Sequence, residues 1–172
     1  MDDRIERLIA RQDIQDCIFR YMRGQDRLDA ELQRSAFHPD ATVDYGFWKG
    51  SGHDFVDFAQ GLLTRYGATQ HLIGQTHIVV TDADHAHGEV YFIAYSRRHA
   101  DGGAEEDLII AGRYLDAYSK RDGEWRIATR KEVVDWTHTA PAADDWFARV
   151  PTALRGGRGS DDPSYGMAFT VR

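Results

Sequence analysis

The switch from a helical to a strand-like hydrophobic period near residue 67 constrains the fold of this chain more than any other feature. Four alternating runs follow it in close succession, and the last two are joined by Asp122-Gly123, a strong hairpin turn signal. The predicted strands are Thr69–Thr81, Ala86–His99, Leu108–Lys120 and Trp125–Trp136. Helical segments followed by consecutive long strands predict an α+β fold, with helices packed on one side of an antiparallel-rich mixed sheet.

The segment before the switch carries apolar residues at helical spacing and predicts three helices. The spacing slips once, which predicts a bend near Gln12, and Gly24 is the expected end of the first helix. Gly74 interrupts the first long strand and predicts a bulge, which would bend the sheet. We therefore expect a cone-shaped roll, a strongly curved sheet wrapped around the N-terminal helices with a pocket inside. The predicted helices are Arg4–Arg23, Asp29–Ser35 and Asp54–Arg65, with Pro39 closing the second, and a short strand is predicted at Ala41–Tyr45.

Composition excludes several classes of function. The 172 residues fit one domain, and 21 Lys and Arg against 28 Asp and Glu give a net charge of −7. This charge argues against a nucleic-acid partner and against an anionic membrane surface. The single cysteine, Cys17, excludes an internal disulfide and a thiolate-rich metal centre. No apolar run approaches the ~18 residues of a membrane span, and the acidic N-terminus is unlike a signal peptide, so we expect a cytoplasmic protein. The sequence contains no G-x-G-x-x-G, phosphate-loop or H-E-x-x-H motif, so we expect no cofactor.

Four segments stand out together when the chain is compared with known folds. They are Tyr21–Arg27, Phe37–Ala41, Gln70–Gly74 and the hairpin from Gly112 to Ile127. With these segments, Arg4 to Trp136 resembles the nuclear-transport-factor-two-like superfamily, and within it the SnoaL-like proteins. Residues 1–138 are then expected to form the SnoaL-like domain. Residues 139–172 are expected to form a tail that covers the pocket mouth or contacts another subunit. Many relatives form dimers or trimers through the open sheet face, so the resemblance implies a homo-oligomer.

The resemblance also implies a site and a class of reaction. Scytalone dehydratase, hexachlorocyclohexane dehydrochlorinase and bile-acid dehydratase are cofactor-free lyases of this group, and lyases that release formaldehyde from lignin dimers belong to the superfamily. By position, Asp26 and His71 match the aspartate–histidine pair of these enzymes. Arg130 matches an arginine that assists the departing anion in the dehydrochlorinase, and Tyr21 lies where that enzyme has a lysine. The implied activity is elimination of water, halide or formaldehyde from a small apolar, aromatic substrate.

The residue types of the proposed pair fit proton abstraction. A neutral imidazole is a base near pH 7, and a carboxylate on its other nitrogen fixes the tautomer and stabilises the imidazolium. Each residue also has a structural explanation, since Asp26 can cap the second helix and His71 can be a hydrogen-bonded strand histidine. The same pair also serves an isomerase or a cyclase, in which nothing departs. A non-catalytic pocket or assembly module, like the small subunits of ring-hydroxylating dioxygenases, instead predicts two side chains too far apart to bond or a filled cone.

Arg130 and a set of aromatic residues complete the predicted site. Strand alternation places Arg130 and Glu132 on one face, either inside the cone or on the sheet surface in a ladder with Arg113. An inward arginine would stabilise an anion, and tyrosine hydroxyls would polarise a substrate carbonyl or phenol. The predicted substrate-binding residues are Tyr21, Tyr45, Trp48, Tyr91 and Tyr114. The tail residues that need a burial site are Trp146, Phe147, Tyr165, Met167 and Phe169.

Overall fold

The computed structural model describes residues 3–100 and 103–167 of the chain. Helices come first, long strands follow, and short helical turns lie in the tail. The helices are α1 (Asp3–Asp26), α2 (Ala30–Arg34), α3 (Gly52–Leu63) and α4 (Trp146–Arg149), with a 3-10 turn at Pro163–Gly166. The strands are β1 (Phe37–Asp44), β2 (Lys49–Ser51), β3 (Ala68–Val80), β4 (His85–His99), β5 (Glu105–Arg121) and β6 (Glu124–Pro141).

The described strands form one six-stranded sheet in the order β2-β1-β6-β5-β4-β3. All neighbouring pairs are antiparallel except β1 and β6, which run parallel. The β5–β6 hairpin turns at Asp122 and Gly123, whose φ angles of 53° and 84° are those that a tight two-residue turn requires. The prediction of an α+β fold with N-terminal helices and a mixed, mostly antiparallel sheet is therefore confirmed.

Helix α1 lies across the inner face of the sheet and supplies one half of the core. Its buried apolar stripe includes Ile14, Cys17, Ile18 and Tyr21, which recur at the three- and four-residue spacing of one helix face. The sheet side of the same core includes fully buried aromatic and aliphatic residues of β1, β4 and β6. No helix within residues 3–100 and 103–167 is long and apolar enough to cross a membrane.

Helix α1 is longer than predicted and continues without interruption. It runs through Gln12 and past Gly24 to Asp26, so the predicted stop at Gly24 is wrong, while the bend near Gln12 stays a prediction. Glycine is required at position 24 because a Cβ there would clash with the backbone nitrogen and Cα of Gln33 on α2. The cap of α2 is Asp29, whose carboxylate accepts a hydrogen bond from the Leu32 amide at 2.9 Å. Asp26 is therefore not an N-cap, and its carboxylate is available for another partner.

Strand β1 begins at Phe37 rather than Ala41, so Pro39 lies inside a strand instead of after a helix. The register of β1 on β6 shifts between Phe37 and Thr42, and Pro39 falls in this irregular stretch, where no regular ladder bond is lost. Strand β6 runs on to Pro141, so the predicted boundary after residue 138 falls inside a strand.

Bulges determine which side chains point inward. The predicted irregularity at Gly74 is confirmed by a register shift between Ile73 and Thr76. A second shift leaves Ala128 without a partner, because Ala117 pairs with Thr129 while Tyr118 pairs with Ile127. This extra residue reverses the alternation along β6. The inward residues of β6 are Trp125 and Ile127 before the bulge and Arg130 and Glu132 after it.

Candidate active site

Asp26 and His71 meet where the end of α1 reaches the inner face of β3. The ring Nδ1 of His71 lies 2.7 Å from Asp26 Oδ1, and the His71 backbone N–H donates to Asp26 Oδ2 at 2.9 Å. Both side chains are almost enclosed, with 6% of the histidine and 10% of the aspartate side chain exposed. The carboxylate thus fixes the ring and the strand at once, and its bond to Nδ1 leaves Nε2 as the nitrogen that can take a proton.

Asp26 remains ionised despite its burial. Desolvation raises the pKa of the Asp26 carboxyl, but the hydrogen bonds from the ring and backbone of His71 and the charge of Arg27 outweigh it. The net result is a pKa below the ordinary value. An ionised carboxylate at this position stabilises the imidazolium that forms when His71 accepts a proton.

A chain of three glutamines leads away from the other nitrogen of His71. Gln25 Nε2 lies 3.0 Å from His71 Nε2, and Gln25 Oε1 accepts from Gln33 Nε2 at 3.0 Å. Gln33 Oε1 in turn accepts from Gln60 Nε2 at 2.6 Å, and Gln60 also donates to the Gly24 carbonyl at 3.2 Å. The three side chains come from α1, α2 and α3, so all three helices converge behind the histidine.

The donor and acceptor roles along this chain are fixed at its far end. The Gly24 carbonyl can only accept, so Gln60 presents its amide N–H groups, and each glutamine must then donate toward His71. Gln25 consequently donates to the lone pair of Nε2. Asp26 at Nδ1 and the glutamine chain at Nε2 therefore select the tautomer that carries its hydrogen on Nδ1 and its lone pair on Nε2, which is the arrangement that a base requires.

Arg130 points into the interior, which settles the choice between the two faces. Its guanidinium makes two parallel hydrogen bonds to Asp116, at 2.8 and 2.7 Å, and neither side chain is exposed. The guanidinium also lies between the rings of Tyr21 and Tyr114, at 4.4 and 4.1 Å from their centroids. Nη1 of Arg130 is enclosed and has no hydrogen-bond partner among the described residues. Most of the arginine charge is thus already compensated by Asp116.

Three of the predicted tyrosines surround this arginine. The hydroxyls of Tyr21 and Tyr45 lie 3.0 Å apart, and the Tyr114 ring packs edge-on against Tyr21 with centroids 6.5 Å apart. Burial raises the pKa of all three hydroxyls, against the lowering effect of the Arg130 charge, so they remain protonated. Protonated hydroxyls are hydrogen-bond donors, which is the role predicted for them.

The two remaining predicted residues lie elsewhere. Trp48 is half-buried against α3, with its ring edge-on to Phe55 at 5.2 Å, and Phe55 stacks on Tyr45 at 3.8 Å. The Trp48 ring thus contacts Phe55 rather than the tyrosine rings, while the Trp48 carbonyl accepts a hydrogen bond from the Tyr45 amide at 2.9 Å. Tyr91 lies on the outer face of the sheet, 38% exposed and beside the Arg113 guanidinium. The structure separates Tyr91 from the interior because alternation along β4 turns its two neighbours inward.

A family model of the SnoaL-like domain matches residues 6–131, which is most of the chain. The chain belongs to the SnoaL-like family. No curated protein matches this SnoaL-like chain in sequence.

Solved structures share the fold of this SnoaL-like protein. A candidate scytalone dehydratase from Novosphingobium aromaticivorans is 21% identical, with a TM-score of 0.69 over 94% of this chain and 98% of that chain. A type 2 hexachlorocyclohexane dehydrochlorinase is 23% identical, with a TM-score of 0.70 over 81% of this chain and 93% of that one. A protein of unknown function from Mycobacterium tuberculosis is 25% identical, with a TM-score of 0.64 over 74% and 77%.

The tail of the SnoaL-like protein packs on the end of α1 that carries Asp26. Arg27 donates to the Gly157 carbonyl at 2.6 Å, and the Gly159 amide donates back to the Arg27 carbonyl at 2.8 Å. Arg158 donates to the carbonyl of Leu63, the last residue of α3, at 2.8 Å and to that of Tyr66 at 2.9 Å. The tail is therefore held beside the pair. Phe169 lies outside the described residues, and the role of the tail as a lid or subunit contact stays a prediction.

Five further residues lie at the site in the structure, although the sequence analysis assigns them no role. Asp116 shares the inward face of β5 with Tyr114, a parity that the sequence displays. Glu132 shares the face of Arg130, and this too is visible in the alternation of β6. The glutamines at positions 25, 33 and 60 carry no local signal, because only the packing of three helices brings them together. Within residues 3–100 and 103–167, no group of three or more His, Cys, Asp or Glu side chains is placed to hold a metal ion.

Proposed function

We propose that this SnoaL-like protein is a cofactor-independent lyase in which His71 removes a proton from a small, largely apolar, aromatic substrate and a small group departs. The observation that carries the proposal is the pair of hydrogen bonds between the Asp26 carboxylate and the ring and backbone of His71, at 2.7 and 2.9 Å. The non-catalytic alternative predicts either a pair too far apart to bond or a filled cone, and this contact argues against the first of these.

In the proposed reaction, Nε2 of His71 takes a proton from the carbon next to a carbonyl or another acidifying group. Asp26 stabilises the resulting imidazolium, and this type of general base commonly contributes about 10²–10⁴-fold to the rate. The paired hydroxyls of Tyr21 and Tyr45 share one hydrogen between them, which leaves one hydrogen to donate to the substrate oxygen. Arg130, between the tyrosine rings, favours the negative charge that develops there.

Substrate binding must displace the amide of Gln25 from Nε2, since the two nitrogens are 3.0 Å apart. Gln25 is only half-buried, and rotation of its side chain toward solvent would free Nε2. A substrate C–H group would then lie where the amide N–H lies in this structure.

The proposal is tested by a substrate screen that reads product mass. Hydroxylated, chlorinated and dimeric aryl ketones are incubated with the wild-type protein and with the His71→Ala variant. We expect products lighter by water, hydrogen chloride or formaldehyde, and turnover at least ~10²-fold lower in the variant. The matched control is His77→Ala, an exposed histidine of the same strand, which should keep wild-type turnover. Wild-type turnover in His71→Ala contradicts the proposal, and a product of unchanged mass favours the isomerase or cyclase alternative.

We also propose that this lyase is a homo-oligomer. The outer face of the sheet exposes large apolar side chains that the isolated chain leaves uncovered. They include Leu72, Tyr91, Ile93, Leu115 and Trp136. A contiguous apolar surface of this kind supports a subunit contact.

A further inference from the structure

Glu132 is a carboxyl group inside the fold that the proposed proton abstraction does not use. It lies on the inner face of β6, two residues beyond Arg130 and directly opposite Tyr114 of β5. The Ala128 bulge is what turns it inward. Glu132 also interacts electrostatically with His71, which faces the same interior from β3.

Glu132 has no bonded partner among residues 3–100 and 103–167, although an arginine is close. Arg130 is turned to Asp116 by two hydrogen bonds, so it makes no ion pair with Glu132. The carboxyl oxygens of Glu132 are not among the sealed polar atoms without a partner, and neither is the Tyr114 hydroxyl. Neither polar group is therefore completely sealed from solvent, and neither has a hydrogen-bond partner among the described residues.

The surroundings of Glu132 favour its neutral form. Burial raises the pKa of the Glu132 carboxyl to about 7, although the charges of Arg130 and His71 act in the opposite direction. A carboxyl with this pKa carries a proton for much of the time near neutral pH, and it can give that proton up.

We propose that Glu132 is a catalytic acid that protonates the departing oxygen, so the eliminated group is hydroxide released as water. This inference rests on the proposed lyase function and deepens it. A departing halide needs no proton, and an ionisable carboxyl facing it would repel it. The arrangement therefore fits a β-hydroxy ketone or a related hydroxylated ring ketone as the substrate class.

The proposed step balances in atoms and charge. Nε2 of His71 takes the proton on the carbon next to the carbonyl, and the C–H electron pair becomes the C=C bond. The C–O bond breaks with its electron pair on oxygen, which takes the proton of Glu132 and leaves as water. His71 is then an imidazolium and Glu132 a carboxylate, and proton exchange with solvent restores both groups.

Three probe substrates distinguish the proposed acid role of Glu132 from the proposed base role of His71. Elimination from 4-hydroxy-4-phenylbutan-2-one needs a base and an acid, and elimination from its 4-chloro analogue needs the base alone. Exchange of the protons next to the carbonyl of 4-phenylbutan-2-one in D₂O needs no leaving group. Glu132→Gln should lower elimination of water at least ~10²-fold more than it lowers proton exchange or elimination of chloride. Glu132→Asp, which keeps a carboxyl, should recover part of the lost elimination, and Glu89→Gln on the outer face should behave as wild type.

The outcomes distinguish this inference from the proposed function. Equal effects of Glu132→Gln on the hydroxy and chloro ketones, or no effect on either, overturn the acid role while leaving the base role intact. A wild-type protein that eliminates chloride but not water also overturns it. Unchanged proton exchange in His71→Ala, or none in the wild type, contradicts the proposed function instead. Circular dichroism of each variant checks that the fold is kept.

Discussion

The buried charges of this protein differ in how completely they are compensated. Arg130 and Asp116 are paired by two hydrogen bonds, and Asp116 also accepts from the Tyr118 hydroxyl at 2.7 Å. Asp26 is compensated by the donors of His71, whereas Glu132 has no bonded partner among the described residues. These differences lead to opposite expectations for removing a charge at each position.

Removing the charge of Asp116 should be strongly destabilising. Asp116→Asn leaves a fully enclosed guanidinium without its counter-charge, which costs about 3–5 kcal/mol of unfolding free energy. Urea denaturation measures the change. The control is Asp40→Asn, which removes an exposed partner of Arg121 and should cost less than about 1 kcal/mol. A loss of less than about 1 kcal/mol at Asp116 would show that this pair does not hold the interior together.

Removing the charge of Glu132 should stabilise the protein at alkaline pH. The carboxyl has its ordinary pKa of 4.5 in the unfolded chain and a pKa of about 7 in the folded one, so the folded state keeps a proton that the unfolded state loses. Wild-type stability therefore falls as the pH rises through this window. Glu132→Gln should be more stable than wild type at pH 8, by up to about 3 kcal/mol, and the gap should close toward pH 4.5. Thermal unfolding across this range is the measurement, and a gap independent of pH contradicts the expectation.

At the residue scale, the sequence shows the parts of the site more clearly than their partners. Asp26 and His71 stand out through the family resemblance, but each also has an ordinary structural explanation. Only the fold excludes the cap explanation, because Asp29 caps α2 and Asp26 bonds to a strand 45 positions away. The alternation of the β6 sequence alone cannot show that Arg130 faces the interior, because the bulge at Ala128 arises from the pairing of β6 with β5.

At the element scale, the three N-terminal helices act together on β3 through their glutamines. Gln25, Gln33 and Gln60 belong to α1, α2 and α3, and their hydrogen bonds have one consistent direction that ends at His71. The packing of the helices thus places a hydrogen-bond donor, rather than an acceptor, at Nε2 of the base.

Replacing Gln25, the glutamine that donates to His71 Nε2, should change the pH dependence of activity. Gln25→Glu places an acceptor at Nε2, which favours imidazolium and raises the pH at which turnover reaches its plateau, by about one unit. Gln25→Leu, which removes the donor without adding a charge, should produce a smaller rise. Gln75→Glu is the control, because Gln75 is exposed on the same strand as His71. Identical acid limbs of the pH–rate profiles in all four proteins would show that the chain does not act on the base.

The four long strands lie within a few residues of their predicted bounds, because a period of two over many residues depends little on distant contacts. The predicted start of β1 is too late, since parallel pairing with β6 determines it, as the Ile127 amide shows by donating to the Ala36 carbonyl at 2.9 Å. The predicted end of α1 is wrong for a similar reason. Gly24 marks a helix crossing, whereas local propensity treats it as a stop.

At the scale of the whole molecule, an apolar core between helices and sheet encloses the Asp26–His71 and Arg130–Asp116 pairs, and the outer sheet face exposes apolar side chains. Leu72 is 63% exposed and Trp136 is 52% exposed on that outer face. The interior serves the proposed chemistry, and the outer face is free to join copies of the chain without blocking it.

The homo-oligomer is tested by light scattering coupled to size-exclusion chromatography. We expect a dimer or trimer for the wild type and a smaller species for Leu72→Glu, because the substitution places a charge in the apolar contact. Leu154→Glu is the matched control, since Leu154 is 90% exposed in the tail and away from the sheet. A monomeric wild type, or an unchanged mass in Leu72→Glu, contradicts an interface on this face.

The most direct test of the central claim is the rate at which the protein exchanges the protons next to the carbonyl of 4-phenylbutan-2-one in D₂O, followed by NMR. This measurement requires only the base, so it does not depend on the identity of the leaving group. The geometry of Asp26 and His71 predicts that Asp26→Asn and His71→Ala each lower the exchange rate at least ~10²-fold while keeping the fold. Exchange at the wild-type rate in either variant would contradict the claim that this pair is the catalytic base.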